Sequence, residues 1–159
     1  MRKPLVIVIL LLTFLLFAPH VGAFTFNETP TKIIIPSVHI SLPVYTAKVA
    51  LNTWEVRTDG ASFGEYTTLP GNKGNTVIFS HALPNLFGNL PNIKKGDEIN
   101  VFTKDDWFVY KVTQILVVDP ENTDVIFSGQ DHELTLFTCT GTNYEKRFIV
   151  KAKPLANLN

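Results

Sequence analysis

The chain has one cysteine, Cys139, and an arginine, Arg147, follows it by eight residues. Residues 134–139 are rich in Leu, Thr and Phe, which predicts a β-strand. A glycine and an asparagine then predict a turn, and residues 147–152 alternate in polarity as a second strand does. A symmetric hairpin places Cys139 opposite Arg147, with Cβ atoms about 5 Å apart. Because a neighbouring guanidinium favours the thiolate, Cys139 is a candidate nucleophile.

The alternative for Cys139 is a structural one, since a free cysteine is often only a small buried residue. Three features of the sequence favour chemistry instead. Cys139 ends its predicted strand, it lies between Thr138 and Thr140, which are both polar, and an arginine occupies the matching position across the hairpin.

A cysteine nucleophile usually works with a histidine, and the chain has four. His20 falls in an apolar leader, and His39 is predicted in the middle of a strand. His132 begins the strand that Cys139 ends, so about 23 Å separates them at ~3.3 Å per residue. His81 ends an apolar strand as Cys139 does, and catalytic groups often lie where strands feed into loops. His81 is therefore the candidate partner.

The amino-acid composition limits the classes of protein to which this chain can belong. A chain of 159 residues with 45% apolar and 18% charged residues suits one globular domain. Basic and acidic residues number 14 each, and setting aside Arg2 and Lys3 leaves 12 against 14, a net charge of −2. This balance argues against a nucleic-acid binder. A single cysteine excludes an internal disulfide and a cysteine-rich zinc site.

The first 24 residues have the pattern of a membrane-targeting segment. Two basic residues precede an apolar run over residues 5–17, and small residues at 21–23 resemble a cleavage site. Extended to residue 24, the run approaches the ~20 residues that span a bilayer. We expect a retained single-pass anchor in the cell membrane with the rest extracytoplasmic; a cleaved signal peptide and secretion are the alternative. Residues 25–32 are then a linker, and 33–159 the folded domain.

Short strands separated by turn signals predict a β-barrel or a β-sandwich. Two short β-like runs are split by Pro36 and end near Pro43. Residues 85–91 have helical spacing, and residues 119–132 are predicted to be a long loop. Further strands are predicted at 76–80, 98–103 and 107–118, ahead of the hairpin that carries Cys139.

Four segments of the chain resemble the sortase family. TLFTCT, which contains Cys139, matches the family's T-L-x-T-C signature, and Arg147 falls where its second signature residue lies. GNTVIFSHA resembles the stretch that leads to the catalytic histidine, here His81. IIIPSVHISLPV is similar to the first barrel strands, and GNLPNIKKGDEINVF to the region after the histidine. The likeness covers most of residues 33–153 and keeps the family's order.

The resemblance implies a small single-domain sortase of uncertain class. The implied fold is all-β, a closed antiparallel barrel of about eight strands with one or two short helices. The implied activity is that of a cysteine transpeptidase, which cleaves a Leu-Pro-x-Thr-Gly-type sorting signal after threonine through a thioester. An amine from a cell-wall precursor or a pilin lysine then accepts the surface protein. No cofactor and no metal are implied.

The resemblance also implies roles for individual residues. Cys139 is the nucleophile, His81 the acid that protonates the leaving amine, and Arg147 the donor that holds the substrate carbonyl or oxyanion. Thr138, Thr140 and Ser80 are expected to contact substrate, with residues 119–132 and 140–146 shaping the groove. Ser80 departs from the glycine that many relatives have before the histidine.

Two other functions are consistent with some of the same sequence features. One is an extracytoplasmic cysteine peptidase that releases peptides to water, in which Arg147 has no clear task. The other is a membrane-tethered β-barrel binding module without catalysis, which would expose Trp54, Phe87 or Tyr144; we expect these aromatic side chains in the core. The segment before residue 33 is too short for the lid of pilin-building relatives, which disfavours a pilin polymerase.

A calcium site has little support. Glu121 and Asp124 are only two scattered carboxylates in a loop, so we expect no metal there.

Overall fold

The structure, a computed structural model, describes residues 28–51, 53–127 and 131–155. The predicted leader, residues 1–24, lies outside the described residues, as do residues 25–27 of the predicted linker. Eight of the described strands close into a barrel, and β3 and β4 form a separate small hairpin. The strands are β1 Lys32–Ile35, β2 Ile40–Ala47, β3 Val49–Ala50, β4 Thr53–Trp54, β5 Ala61–Gly64, β6 Asn75–Phe79, β7 Glu98–Phe102, β8 Trp107–Val118, β9 Glu133–Thr140 and β10 Lys146–Pro154.

Helical structure in the described part of the chain is short. Two 3₁₀ helices cover Pro36–Val38 and Phe87–Asn92, and one α-helical turn, α1, covers Asp124–Phe127. The second 3₁₀ helix corresponds to the helix predicted at 85–91, and α1 interrupts the loop predicted at 119–132. Among residues 28–51, 53–127 and 131–155 no helix has the length and apolar character needed to cross a bilayer.

The closed barrel is confirmed, and its strand directions are mixed. Around the barrel the order is β1-β2-β5-β6-β9-β10-β8-β7, with β7 returning to β1. Six neighbouring pairs are antiparallel, whereas β2–β5 and β6–β9 are parallel. The expected purely antiparallel arrangement is therefore wrong at these two pairs. Parallel neighbours need a long crossover, and both pairs have one: the β3–β4 hairpin lies between β2 and β5, and residues 80–132 lie between β6 and β9.

Two hydrophobic clusters lie on opposite faces of the barrel wall. The inner cluster fills the barrel and includes Leu136 and Val150, which are fully buried. The outer cluster uses the alternate positions of β6, β9 and β10, where Phe79, Phe137 and Ile149 pack against each other and their neighbours. Because side chains alternate between faces along a strand, the outer cluster lies on the same face as Cys139 and Arg147, each two residues from a member of the cluster.

The first two strands differ from their prediction. His39 is not in a strand: it follows the first 3₁₀ helix in the left-handed conformation, with φ 55°. β2 also continues through Pro43, which lies opposite Lys32. The N–H of Val44, not of the proline, donates to Thr31 O (2.8 Å). Pro43 thus occupies a non-hydrogen-bonded position of the ladder, where its missing donor costs nothing.

Candidate active site

His81 lies just beyond the end of β6, and Cys139 is the second-last residue of the neighbouring strand β9. β6 and β9 run parallel, with Phe79 in register with Phe137, and Ser80 N donates to Phe137 O at 3.4 Å. His81 and Cys139 lie two residues beyond the paired phenylalanines. Since strand residues two apart share a face, the imidazole and the thiol belong to one edge and one face of the sheet.

A cavity of about 390 Å³ joins these two side chains. It is lined by His81 and Cys139 together with Thr58, Ala82, Leu83 and Tyr144. Cys139 is half-buried, so it is neither sealed in the core nor fully exposed. This placement is the one expected of a nucleophile, and it disfavours the alternative of a core cysteine.

Arg147 is the register partner of Cys139 across the β9–β10 hairpin, as the sequence predicts. Its Nη1 donates to the backbone carbonyls of Tyr144 and Lys146, both at 3.1 Å. These bonds hold the guanidinium against the hairpin loop. A guanidinium can present a planar pair of N–H groups to an oxygen, but Arg147 is not among the residues that line the cavity of Cys139 and His81, and its role as oxyanion donor stays a prediction.

Ser80 and Thr138, the residues before His81 and Cys139, direct their hydroxyls into the protein. Thr138 is 1% exposed and Ser80 is 4% exposed. Thr138 Oγ1 donates to Ser80 O (2.8 Å), and Ser80 Oγ donates to Gly60 O (3.0 Å). The geometry favours a positioning role for both residues over the substrate contact that we expected. Thr140, the third expected contact residue, is half-buried opposite Lys146.

Other predicted side chains divide between the core and the surface. Phe87 is fully buried, as expected, and its N–H donates to His81 O (3.0 Å), which fixes the chain beyond the histidine. Tyr144 is 59% exposed with φ 58°, so its expected burial is wrong. His132 lies at the far end of β9, where its Nδ1 is 3.1 Å from Gly71 O.

A second, apolar cavity of about 370 Å³, here called the groove, lies over the outer cluster. Trp54 stacks on Phe79 with ring centroids 5.2 Å apart, and Phe79 stacks on Phe137 at 4.8 Å. The groove is lined by Val49, Thr53, Trp54, Glu65, Tyr66, Thr123, Ile126, Phe127 and Phe137. Because Phe137 lies two residues before Cys139 on the same face, the groove floor leads toward the thiol.

Trp54, which the sequence assigns to the core, is a half-buried wall of the groove. Its Nε1 donates to Glu65 O (3.2 Å). A Cβ on Gly64 would lie 2.6 Å from Trp54 Cζ2, so the indole can occupy this position only beside a glycine. Sequence reasoning missed this wall because β3 and β4 have two residues each, too few for a periodic signal. The alternation of side chains along the sequence does predict that Phe79 and Phe137 lie on the same face as His81 and Cys139.

Two lysines of β10 form ion pairs of different character. Lys146 Nζ binds Asp119 Oδ1 at the surface, and this contact raises the pKa of Lys146. Lys151 Nζ lies 3.2 Å from Glu133 Oε2 in a buried setting, where burial lowers the pKa of Lys151 against the opposing effect of Glu133. In the described ranges no three His, Cys, Asp or Glu side chains converge on a possible metal position.

Comparison with known proteins identifies the family. The model of the Sortase domain matches residues 33–155. The chain belongs to the sortase family. It is 30% identical over 123 residues to Sortase A of Bacillus anthracis, a match that covers 75% of this chain and 56% of that protein. The chain spans about half the length of the curated relatives it matches.

Solved sortase structures share the barrel. Sortase C of Streptococcus pneumoniae superposes with a TM-score of 0.70 at 28% identity, covering 82% of this chain and 70% of that one. The pilus-related Sortase C of Group B Streptococcus gives a TM-score of 0.70 at 32% identity, covering 81% and 68%. The expected family and fold class are thereby confirmed.

Proposed function

We propose that this sortase is a cysteine transpeptidase that cleaves a Leu-Pro-x-Thr-Gly-like sorting signal after threonine and transfers the new carboxyl end to an amine. The observation that carries the proposal is the cavity shared by Cys139 and His81, with Arg147 opposite Cys139 on the next strand. A nucleophile, an acid and an oxyanion donor are the three groups that acyl transfer requires.

In the proposed first step the Cys139 thiolate attacks the threonine carbonyl carbon, and the carbonyl electrons move onto oxygen. Arg147 donates hydrogen bonds to this oxyanion, an interaction typically worth a few kcal/mol. The tetrahedral intermediate collapses as the C–N bond to glycine breaks. The His81 imidazolium gives its proton to the departing amine, which leaves a thioester on Cys139 and a neutral imidazole.

The second step reverses these roles. The acceptor amine attacks the thioester carbonyl, and Arg147 again holds the oxyanion. His81 takes the proton of the attacking nitrogen, and the Cys139 thiolate leaves as the new amide forms. The thiolate and the imidazolium are thus regenerated together, and no oxidant, reductant or cofactor is consumed.

The groove is the proposed binding site for the leucine–proline part of the signal. Its lining is mainly apolar, and the rings of Trp54 and Phe137, both stacked on the buried Phe79, offer flat surfaces to a rigid apolar segment. The floor leads from these rings toward Cys139, so a peptide extended along it brings a later residue to the sulfur. At ~3.3 Å per residue, the threonine follows the leucine by about 10 Å.

The partners and location follow as further proposals. The donor substrates are surface proteins that carry the sorting signal, and the acceptor is the amine of a cell-wall precursor or of a pilin lysine. The names of the relatives include both Sortase A and pilus-related Sortase C, so both acceptors are to be tested. Residues 1–24 would hold the chain in the cell membrane. A mature N-terminus at Phe24, found by mass spectrometry, would instead indicate a cleaved signal.

The test is a peptide assay with the purified chain. A library of Leu-Pro-x-Thr-Gly-like peptides is incubated with and without glycine-type and lysine-type amines, and Cys139→Ala serves as the matched control. We expect cleavage after threonine and an amide product with one amine class. Release of free acid only, whatever amine is added, would indicate a peptidase. Equal cleavage by the Cys139→Ala variant would refute the proposal.

A further inference from the structure

One wall of the groove is a segment with little structure of its own. This wall, here called the α1 wall, comprises residues 123–127, and its Thr123, Ile126 and Phe127 line the groove. Ile126 and Phe127 donate their N–H groups to Thr123 O, at 2.9 and 3.2 Å. A single helical turn is not stable in isolation, so contacts with the sheet must hold it in place.

Ile126 supplies the apolar part of that contact. Its side chain is 7% exposed and packs in the outer cluster beside Phe79 and Phe137. Phe127 remains 58% exposed at the rim, where its ring lies 5.5 Å from that of Trp54. Apolar packing of this kind has no strong directional preference, so it does not by itself fix where the backbone of the turn sits.

Asn75 supplies the directional contact. It is the first residue of β6, it is 7% exposed, and its Nδ2 donates to the backbone carbonyl of Ile126. Its Oδ1 accepts a hydrogen bond from Thr135 Oγ1 (2.8 Å), and Thr135 is fully buried on β9. Because the Thr135 hydroxyl holds the oxygen side of the amide, the nitrogen side faces the α1 wall. One amide thus joins the floor of the groove to its wall.

We propose that Asn75 is a positioning residue that docks the α1 wall on the β6–β9 sheet and so sets the affinity of the groove for its peptide. The inference rests on the proposed function for its substrate. Asn75 precedes His81 by six residues, which is about 20 Å along a strand. It therefore acts on binding through Ile126 and has no contact with the reacting groups.

The substitution Asn75→Asp tests the contact with little change of shape. It keeps an oxygen for the Thr135 hydroxyl but replaces the donor to Ile126 O with a second acceptor, so the wall is repelled. We expect KM for the sorting peptide to rise about tenfold, which corresponds to about 1.4 kcal/mol, with kcat within twofold of wild type. The matched control is Asn100→Asp, at a side chain whose Oδ1 accepts from Trp107 Nε1 at the surface.

Amide hydrogen exchange in the free protein measures directly how firmly the α1 wall is held. The amides of Ile126 and Phe127 should exchange about tenfold faster in Asn75→Asp and unchanged in Asn100→Asp. The rate at which iodoacetamide alkylates Cys139 should stay the same, since the thiol is not involved. Thr135→Val removes only the hydroxyl that orients Asn75. It should raise the amide exchange rates and KM as Asn75→Asp does, but by less. If Asn75→Asp does not fold, Thr135→Val takes its place in the test.

The outcomes separate this inference from the proposed function. If wild type cleaves no sorting peptide, the proposed function fails, while exchange at Ile126 and Phe127 still decides whether Asn75 docks the wall. Unchanged exchange in both Asn75→Asp and Thr135→Val would overturn the inference. So would a fall in kcat at constant KM, because Asn75 would then act on the chemistry and not on binding.

Discussion

The hydroxyl of Thr138 offers a sharp test of how the site is held together. Thr138→Val removes the hydroxyl and preserves the shape of the side chain. In the structure that hydroxyl is buried and donates to Ser80 O at 2.8 Å, which ties the strand end that carries Cys139 to the one that carries His81. The valine variant would leave the Ser80 carbonyl without this donor.

A buried carbonyl that loses its donor costs about 1–3 kcal/mol. For a domain of this size each kcal/mol lowers Tm by roughly 4 °C, so we expect Thr138→Val to melt about 4–12 °C below wild type. Activity should also fall, because displacement of a reacting group by about 1 Å can cost up to a hundredfold in rate. We expect kcat to fall at least tenfold with KM little changed.

Differential scanning calorimetry and peptide-cleavage kinetics measure the two effects. Thr138→Ser is the control: it keeps the hydroxyl and loses one methyl group, about 1 kcal/mol, so it should keep most of its kcat. A valine variant as stable as wild type but with a raised KM would mean that the hydroxyl binds substrate, and the positioning argument would be wrong.

Three further predictions concern other parts of the site. Arg147→Lys should lose at least tenfold in kcat/KM, because an ammonium cannot both bond the loop carbonyls and present a planar pair of donors; near-normal turnover would make Arg147 a surface charge. Trp54→Ala should raise KM several-fold by removing the groove wall, with kcat unchanged, and no change in KM would place the peptide elsewhere. Burial lowers the pKa of Lys151 in the folded protein below its ordinary value of 10.5. Between the folded pKa and 10.5 the unfolded chain therefore binds more protons than the folded protein, so the free energy of unfolding rises with pH in this window. In Lys151→Met this alkaline rise in the urea-unfolding free energy should disappear, and its persistence would assign the rise to another group.

The hairpin of Cys139 and Arg147 was predictable because the residues that determine it are close together in the sequence. Two alternating runs separated by a short turn admit one register that keeps the apolar face inward, and this register pairs Cys139 with Arg147. The positions of His81 and Cys139 at strand ends were predictable for the same reason, since apolar strands stop where polar residues begin.

The features that sequence reasoning missed depend on distant segments. Alternation defines the faces of β6 and β9 but not that they are parallel neighbours, which follows from how the 80–132 crossover packs. The stacking of Trp54 on Phe79 depends on the space beside Gly64. The inward direction of the Ser80 hydroxyl depends on the carbonyl of Gly60, twenty residues earlier. Tertiary packing sets which strands pair and where side-chain hydroxyls point, and the secondary-structure propensities of single residues do not encode it.

The central claim is that Cys139 attacks the threonine carbonyl of a sorting signal. Intact-mass spectrometry of the chain mixed with a Leu-Pro-x-Thr-Gly-like peptide, without added amine, tests it most directly. We predict an adduct equal to the peptide minus the fragment that begins with glycine, located on Cys139 by digestion and released by hydroxylamine as a thioester should be. Cleavage of the peptide without any adduct on Cys139, or an adduct that persists in Cys139→Ala, would contradict the claim.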